Sequence, residues 1–327
     1  MFRSEKIEPS ILKTLRIRHK TERPGIEVHL FSVLPVQYAG RILNLRMTKS
    51  QLLKTILSLD PVRDHLKIVQ LNTFYDFPWD NTRALEFALF RTFAVASIGN
   101  LLHKTQEFEQ RTQKRYDDTD LLLSEIIEHG YESERGKAAL GRMNRMHGSQ
   151  HIPNDNMRYV LSTFVMEPWR WNQRFGYRKS SENEKIALHR LWFEIGTRMG
   201  IKEIPETFEA MEKINIAYEQ QYFGYSDGGR KVADATLNLM LGWYFPRFTW
   251  AVFRPFVIAI MDDRLREALS YPRPGLFVRA SLNMGMGLRK IILRLKPLRK
   301  KPYLRTQRKI KSYPKGYTIP ELGVKTK

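Results

Sequence analysis

Residues 142–178 read RMNRMHGSQHIPNDNMRYVLSTFVMEPWRWNQRFGYR. Arg142 and Arg145 form a basic helical turn directly before His147, and a second histidine, His151, follows four residues later. A proline then interrupts the helical pattern, and a strongly apolar run leads to two tryptophans. Few structural segments place histidine, arginine and tryptophan so close to an apolar run. We interpret this stretch as the helical wall of a buried site.

Helical patterns extend outward from this stretch in both directions. Leu85, Leu89, Phe93 and Ala96 recur at spacings of three to four residues, which is typical of one helix face. Thr48 is placed to cap an earlier helix. No βαβ alternation and no repeat period are present. The sequence therefore predicts an all-α fold.

The predicted organisation is one large helical domain with flanking segments. Residues 1–70 are expected to form a peripheral N-terminal helical segment packed on the core. Residues 71–285 are expected to form the main domain. Residues 286–327 are predicted to be a basic C-terminal extension.

Charge is unevenly distributed in this chain of 327 residues with a formal net charge of +21. Residues 268–320 contain 14 Lys and Arg and no Asp or Glu. Such a segment suits an anionic membrane surface, nucleic acid or an acidic partner. Since the rest of the chain is only mildly basic, we expect an anionic membrane contact through residues 289–315 and no specific nucleic-acid binding.

Several classes of site lack their sequence signatures. The chain has no cysteine, which excludes disulfides and thiolate metal sites. It has no GxxxxGK[ST], GxSxG or HExxH motif. No apolar h-region opens the chain, and no uncharged apolar run reaches about 18 residues, so we expect no signal peptide and no spanning helix. We therefore expect a cytoplasmic or peripheral membrane protein.

Histidine remains as the route to a metal or haem. By residue type alone, His147 is either a ligand or a hydrogen-bonded core histidine. His147, His151 and Asp155 would share a helix face as metal ligands, but Pro153 argues against a continuous helix. A buried Arg91 needs a partner, and Asp117 or Asp118 is the expected one.

The segments KRYDDTDLL (114–122), RGKAALG and the quoted stretch after it (135–178), and WFEIGTRMGIKEIPETFEA (192–210) resemble the ER-bound oxygenase and rubber oxygenase family. PWDNTRALEFALFRT (78–92) and SYPKGYTIPELG (312–323) extend the resemblance. It implies a globin-related helical core like that of the latex clearing proteins, a b-type haem and dioxygen-dependent oxidation of hydrophobic, isoprenoid or lipid-like substrates. Residues 71–285 would then be the catalytic domain.

The resemblance also suggests roles for individual residues. His147 is carried over as the axial haem ligand and catalytic residue, with His151 as the alternative metal ligand. In the rubber-cleaving branch an Arg and a Lys-Thr pair line the haem pocket; the turn matched here is Arg142, Arg145 and Met146, where the Lys-Thr pair is not preserved. The residues expected to act in catalysis or to contact the haem are Arg142, Arg145, Met146, His147, Phe164, Arg170 and Trp171.

Two functions remain open at this point. The first is a haem b-dependent oxygenase. The alternative is a non-catalytic haem- or lipid-binding helical protein at a membrane surface, and composition alone also allows a basic helical scaffold.

Overall fold

The computed structural model describes residues 47–324, and every structural statement below concerns those residues. The predicted N-terminal segment therefore lies largely outside the described part. Within the described residues, the chain forms helices joined by short turns, and β-structure is limited to isolated bridges. The all-α prediction is confirmed. The helices are α1 Lys49–Ser58, α2 His65–Leu71, α3 Pro78–Phe93, α4 Ala96–Lys104, α5 Glu107–Gln110, α6 Thr112–His129, α7 Glu134–Gly148, α8 Asn154–Phe175, α9 Glu182–Arg198, α10 Phe208–Tyr222, α11 Asp227–Tyr244, α12 Trp250–Ile258, α13 Asp263–Ala268 and α14 Leu276–Leu295.

Side-chain caps explain where several helices begin. The Thr48 hydroxyl accepts a hydrogen bond from the Gln51 backbone N–H, and the Gln51 side chain accepts one from the Thr48 N–H. This capping box satisfies two donors that the helix itself leaves free. The predicted start of α1 is therefore confirmed. Ser181 and Glu184 form an equivalent box before α9.

Helix α8 is longer than its sequence indicates. An end at Glu167-Pro168 is expected from the missing proline N–H, but this prediction is wrong, because α8 continues through Pro168 to Phe175. The turns after the proline bury Trp171 and Phe175 against Phe87 of α3. Burying these aromatic rings offsets the lost backbone hydrogen bond.

The apolar residues form two main clusters on either side of α3 and α8. One cluster joins α1, α2, α6, α7 and α9 through residues such as Ile68, Leu121 and Leu191. The other joins α3, the end of α8 and α11 through residues such as Phe90, Trp171 and Leu237. No helix between residues 47 and 324 is long and apolar enough to cross a membrane.

Arg91 is buried in the last turn of α3 and binds carboxylates from three other segments. Its Nε donates to Glu167 Oε1 at 2.6 Å, its Nη1 contacts both Glu219 carboxylate oxygens at 3.0 Å, and its Nη2 donates to Asp262. The expectation that Asp117 or Asp118 pairs with Arg91 was wrong. The network instead ties α3 to α8, α10 and the cap of α13.

The segment after α14 packs back on the domain. We call residues 303–324 the C-terminal strap. It lies along α6, where its Arg305 donates to Asp117 and Asp120 and its Tyr317 hydroxyl donates to Glu125 at 2.6 Å. Asp117 and Glu125 are fully buried; the strap supplies the cation for Asp117, whereas Glu125 pairs with Arg135 and receives only the tyrosine hydroxyl from the strap.

Replacing Arg91 tests the buried network. Arg91→Leu should lower the free energy of unfolding by about 3–5 kcal/mol, because it leaves buried carboxylates without a cation. Arg158 offers a matched control, since it also binds two carboxylates, but those of Asp155 and Glu203 are 64% and 79% exposed. Arg158→Leu should cost under about 1 kcal/mol. Urea unfolding of both variants measures the difference, and equal losses would contradict the assigned role of Arg91.

Candidate functional site

His147 lies on the last turn of α7, where its side chain is partly buried. Its Nδ1 is buried and has no hydrogen-bond partner among the described residues. Burial, followed by the positive charge of Arg115, lowers the pKa of His147 to about 4. The imidazole is therefore neutral at physiological pH and retains a lone pair suited to a metal or to a hydrogen-bond donor.

Arg115 of α6 lies close enough for its charge to act on His147, and neither Arg115 nor its hydrogen-bond partner Thr119 was among the site residues predicted from the sequence. They lie one helical turn apart, and an Arg115 Nη1 donates to the Thr119 hydroxyl oxygen. The Arg115 guanidinium lies over the Phe108 ring, 4.9 Å from its centroid. The motif KRYDDTD contained the relevant signal, an arginine four residues before a threonine. Only the fold brings that turn near His147.

The basic turn of α7 contacts the C-terminal strap. Arg142 is buried and donates to the carbonyl oxygens of Leu322 and Val324, each at 2.7 Å. Met146 packs so tightly against Gly323 that a Cβ there would lie 2.1 Å from its Sδ, and Gly323 has a φ of 81°. Arg145 is exposed. The guanidinium of Arg142 is thus engaged in holding the strap.

The other predicted site residues are dispersed. Phe164 stacks on Trp192 with ring centroids 4.7 Å apart, in the same cluster as Met146. Arg170 donates to Asn215 at 2.9 Å and forms an ion pair with Glu167 at 3.4 Å.

Trp171 and His151 lie apart from the His147 group. Trp171 belongs to the second apolar cluster, where its indole N–H donates to Asp80 at 3.0 Å. His151 is exposed in the turn between α7 and α8, with a φ of 49°. The structure therefore groups His147 with Met146 and Arg115, and not with Trp171 or His151.

A cavity of about 360 Å³ lies on the face of α6 opposite to Arg115 and Thr119. Its walls come from α3, α6, the end of α11 and the strap. Gln113, Tyr116, Asp120 and Ser124 line it at helical spacing, so Arg115 and Thr119 point to the other side of α6. The remaining lining residues include Leu85, Ile127, Trp243, Tyr244, Tyr303 and Lys309. The lining also carries the charged residues Arg83, Asp117, Glu128, Arg305 and Lys311, so the cavity is of mixed polarity.

Beside this cavity, the buried Glu86 accepts hydrogen bonds from two titratable side chains. Its Oε1 accepts from Arg83 at 2.5 Å and from the Tyr116 hydroxyl at 2.8 Å, whereas its Oε2 is buried without a described partner. Burial raises the pKa of Glu86 to about 7 against the opposing charge of Arg83. Burial and the Glu86 charge raise the pKa of Tyr116 well above its usual range. Glu86 can therefore gain or lose a proton near neutral pH.

No group of three or more His, Asp or Glu side chains within residues 47–324 is arranged to hold a metal ion. A metal site with several protein ligands, such as one built on His147, His151 and Asp155, has no support there. A haem iron needs only one or two protein ligands, so this finding leaves a haem site open.

Comparison with known proteins identifies the class as an oxygenase catalytic domain. The model of the family described as "ER-bound oxygenase mpaB/B'/Rubber oxygenase, catalytic domain" matches residues 88–288, a span that includes Arg115 and His147. The chain belongs to this family.

Three curated relatives agree with this assignment. The ER-bound oxygenase mpaB' of Penicillium brevicompactum is 28% identical over 237 residues, covering 67% of this chain and 56% of that protein. The ER-bound oxygenase mpaB of Penicillium roqueforti (strain FM164) is 29% identical over 214 residues, covering 60% and 72%. The mpaB of P. brevicompactum is 29% identical over 219 residues, covering 61% and 56%. The chain thus spans about half the length of the two P. brevicompactum relatives.

The raised pKa of Glu86 gives a pH-dependent stability. Because the folded pKa of about 7 exceeds the ordinary 4.5, its contribution is fully present below pH 4.5 and is lost as pH rises through 7. Glu86→Gln removes this loss. Between pH 5 and 8, the unfolding free energy of the wild type should therefore fall by on the order of 2 kcal/mol relative to the variant. Urea unfolding at both pH values measures this difference.

Glu182→Gln is the control, since Glu182 is exposed. Its unfolding free energy should follow the wild type across the same pH range. Parallel pH profiles for Glu86→Gln and the wild type would show that the Glu86 carboxyl titrates normally.

Proposed function

We propose that the protein is a haem b-dependent oxygenase that uses dioxygen to oxidise a hydrophobic, isoprenoid or lipid-like substrate. The observation that carries the proposal is the buried, unpartnered Nδ1 of the neutral His147, within the segment that matches the oxygenase family. A bound haem would supply the redox chemistry that activates dioxygen. The family's description names rubber oxygenases, which supports an apolar substrate class.

His147 fits the role of axial ligand. A ligating imidazole must be neutral, and burial beside Arg115 keeps the pKa of His147 near 4. In most buried histidines both ring nitrogens find hydrogen-bond partners. An orphaned nitrogen at this position is what a missing ligand would leave.

Arg115 and Thr119 fit the polar side of the same site. In place of the α7 turn matched from the sequence, we assign Arg115 and Thr119 to the Arg and the Thr of the pocket in the rubber-cleaving branch, with Asp118 where the lysine stands. The Asp118 carboxylate accepts hydrogen bonds from Lys114 at 2.8 Å and from the Tyr313 hydroxyl. These two contacts hold the carboxylate in an ion pair with Lys114. The Arg115 guanidinium matches a haem propionate or a polar substrate group.

The residues of the α7 turn divide between two tasks. Arg145 is exposed and stays a candidate for a propionate. Arg142 acts as a positioning residue, because its hydrogen bonds to Leu322 and Val324 hold the strap over the end of α7. A closed strap would limit the access of water to His147 and thereby favour an apolar substrate.

The ultraviolet-visible spectrum of the purified full chain, loaded with hemin, tests the proposal. The wild type should show a Soret band that shifts on reduction with dithionite and again on exposure to oxygen. His147→Ala should abolish haem retention. His151→Ala is the matched control, because His151 is exposed four residues away, and it should retain haem fully.

Two outcomes would redirect the assignment. Full haem retention by a helical, folded His147→Ala variant would remove His147 as the ligand. A Soret band that responds to neither dithionite nor oxygen would favour the alternative, a non-catalytic haem- or lipid-binding protein.

A further inference from the structure

Helix α14 presents its apolar face to the outside. Phe277, Met284, Leu288, Ile291 and Leu295 follow one another at spacings of seven, four, three and four residues, which places them on one side of the helix. Their exposed fractions are 80%, 74%, 58%, 55% and 82%. None of the 20 residues of α14 is buried.

The polar side chains of α14 point the other way, toward the protein. Arg289 donates to both Asp80 carboxylate oxygens at 2.9 and 2.8 Å. Lys290 donates to the Arg174 carbonyl at 2.6 Å, and Arg294 donates to the Tyr177 carbonyl at 2.9 Å. A surface helix of a globular protein normally has the opposite orientation. The helix is therefore anchored by its cations, and its apolar stripe is left for another apolar phase.

A neighbouring element enlarges the same kind of surface. Helix α12 packs against α14. Val252 in its first turn and Phe248 in the short turn before it are 63% and 86% exposed. Exposed apolar area of this kind marks an interaction site more often than a random surface.

The charges around the stripe indicate which apolar phase it meets. Residues 268–320 carry no carboxylate, and Arg273, Lys296, Lys300 and Lys301 are exposed at and beyond the two ends of α14. Cations beside an apolar stripe match anionic headgroups above acyl chains. A second copy of this chain would bring the same positive charges together, which disfavours self-association through this face.

We propose that α14, with Phe248 and Val252, docks the protein on an anionic lipid bilayer. The helix lies in the plane of the interface, with Phe277, Leu288 and Leu295 among the acyl chains. This assignment refines the membrane contact expected at residues 289–315, because Arg289 and Arg305 there bind Asp80, Asp117 and Asp120 instead. The docking does not depend on haem, so its failure and that of the oxygenase proposal are distinguishable.

Vesicle co-sedimentation of the full chain tests the docking. The wild type should bind phosphatidylcholine vesicles that contain phosphatidylserine, and binding should weaken without phosphatidylserine and at high salt. The double variant Leu288→Glu/Leu295→Glu should lose at least about tenfold in affinity, because two apolar side chains no longer enter the acyl region. Leu57→Glu is the control, since Leu57 is 52% exposed on α1, and it should bind like the wild type.

A fluorescent label reports the contact directly, since the chain has no cysteine and a single introduced one carries the only label. A polarity-sensitive dye on Leu288→Cys should shift to shorter wavelength with anionic vesicles, whereas a dye on Lys213→Cys should not. Unchanged binding by the double glutamate variant would overturn the proposal. So would a short-wavelength dye emission at Leu288→Cys without vesicles, which would assign the stripe to a protein partner or another part of the chain.

Discussion

The described part of the molecule depends on the pairing of buried carboxylates on α6 with the C-terminal strap. Asp117 and Glu125 are fully buried, and a charge in that position costs several kcal/mol unless it is paired. Arg305 supplies a cation to Asp117 from far along the chain, whereas Glu125 pairs with Arg135 and gains the Tyr317 hydroxyl from the strap. The basic C-terminal segment therefore packs on α6 as part of the fold. Some of its cations pair with carboxylates of the protein, and the others lie at the surface.

Helix α6 also separates the His147 group from the cavity beside Glu86. Arg115 and Thr119 lie on one face, where the Arg115 charge acts on His147, whereas Tyr116 on the other face donates to Glu86 beside the cavity. A shift of α6 would change both together. The strap borders both places as well, through the Arg142 contacts at one end and the cavity wall at the other. The position of the strap thus affects both the access to His147 and the shape of the cavity.

Local patterns predicted the helical class and the cap at Thr48, because these follow from neighbouring residues. The role of His147 stays a prediction. The continuation of α8 through Pro168 required knowledge of the aromatic packing beyond it. The partners of Arg91 lie 76 to 171 residues away and could not be read from the chain. Helix α14 was not predicted, because its exposed apolar side and inward cations reverse the usual pattern of a surface helix. Arg115 was overlooked since only tertiary packing brings it to His147.

The order in which the chain is made has a consequence for the strap. Helix α6 leaves the ribosome about 190 residues before Arg305 and Ser312, so Asp117 meets these two partners only after α14 has been synthesised, whereas Glu125 finds Arg135 ten residues on. Until then Asp117 is best kept hydrated, which holds its part of α6 away from its final place. Assembly of the first apolar cluster must accordingly finish late, after translation has passed the strap, and a nascent chain stalled before residue 303 would remain open at α6.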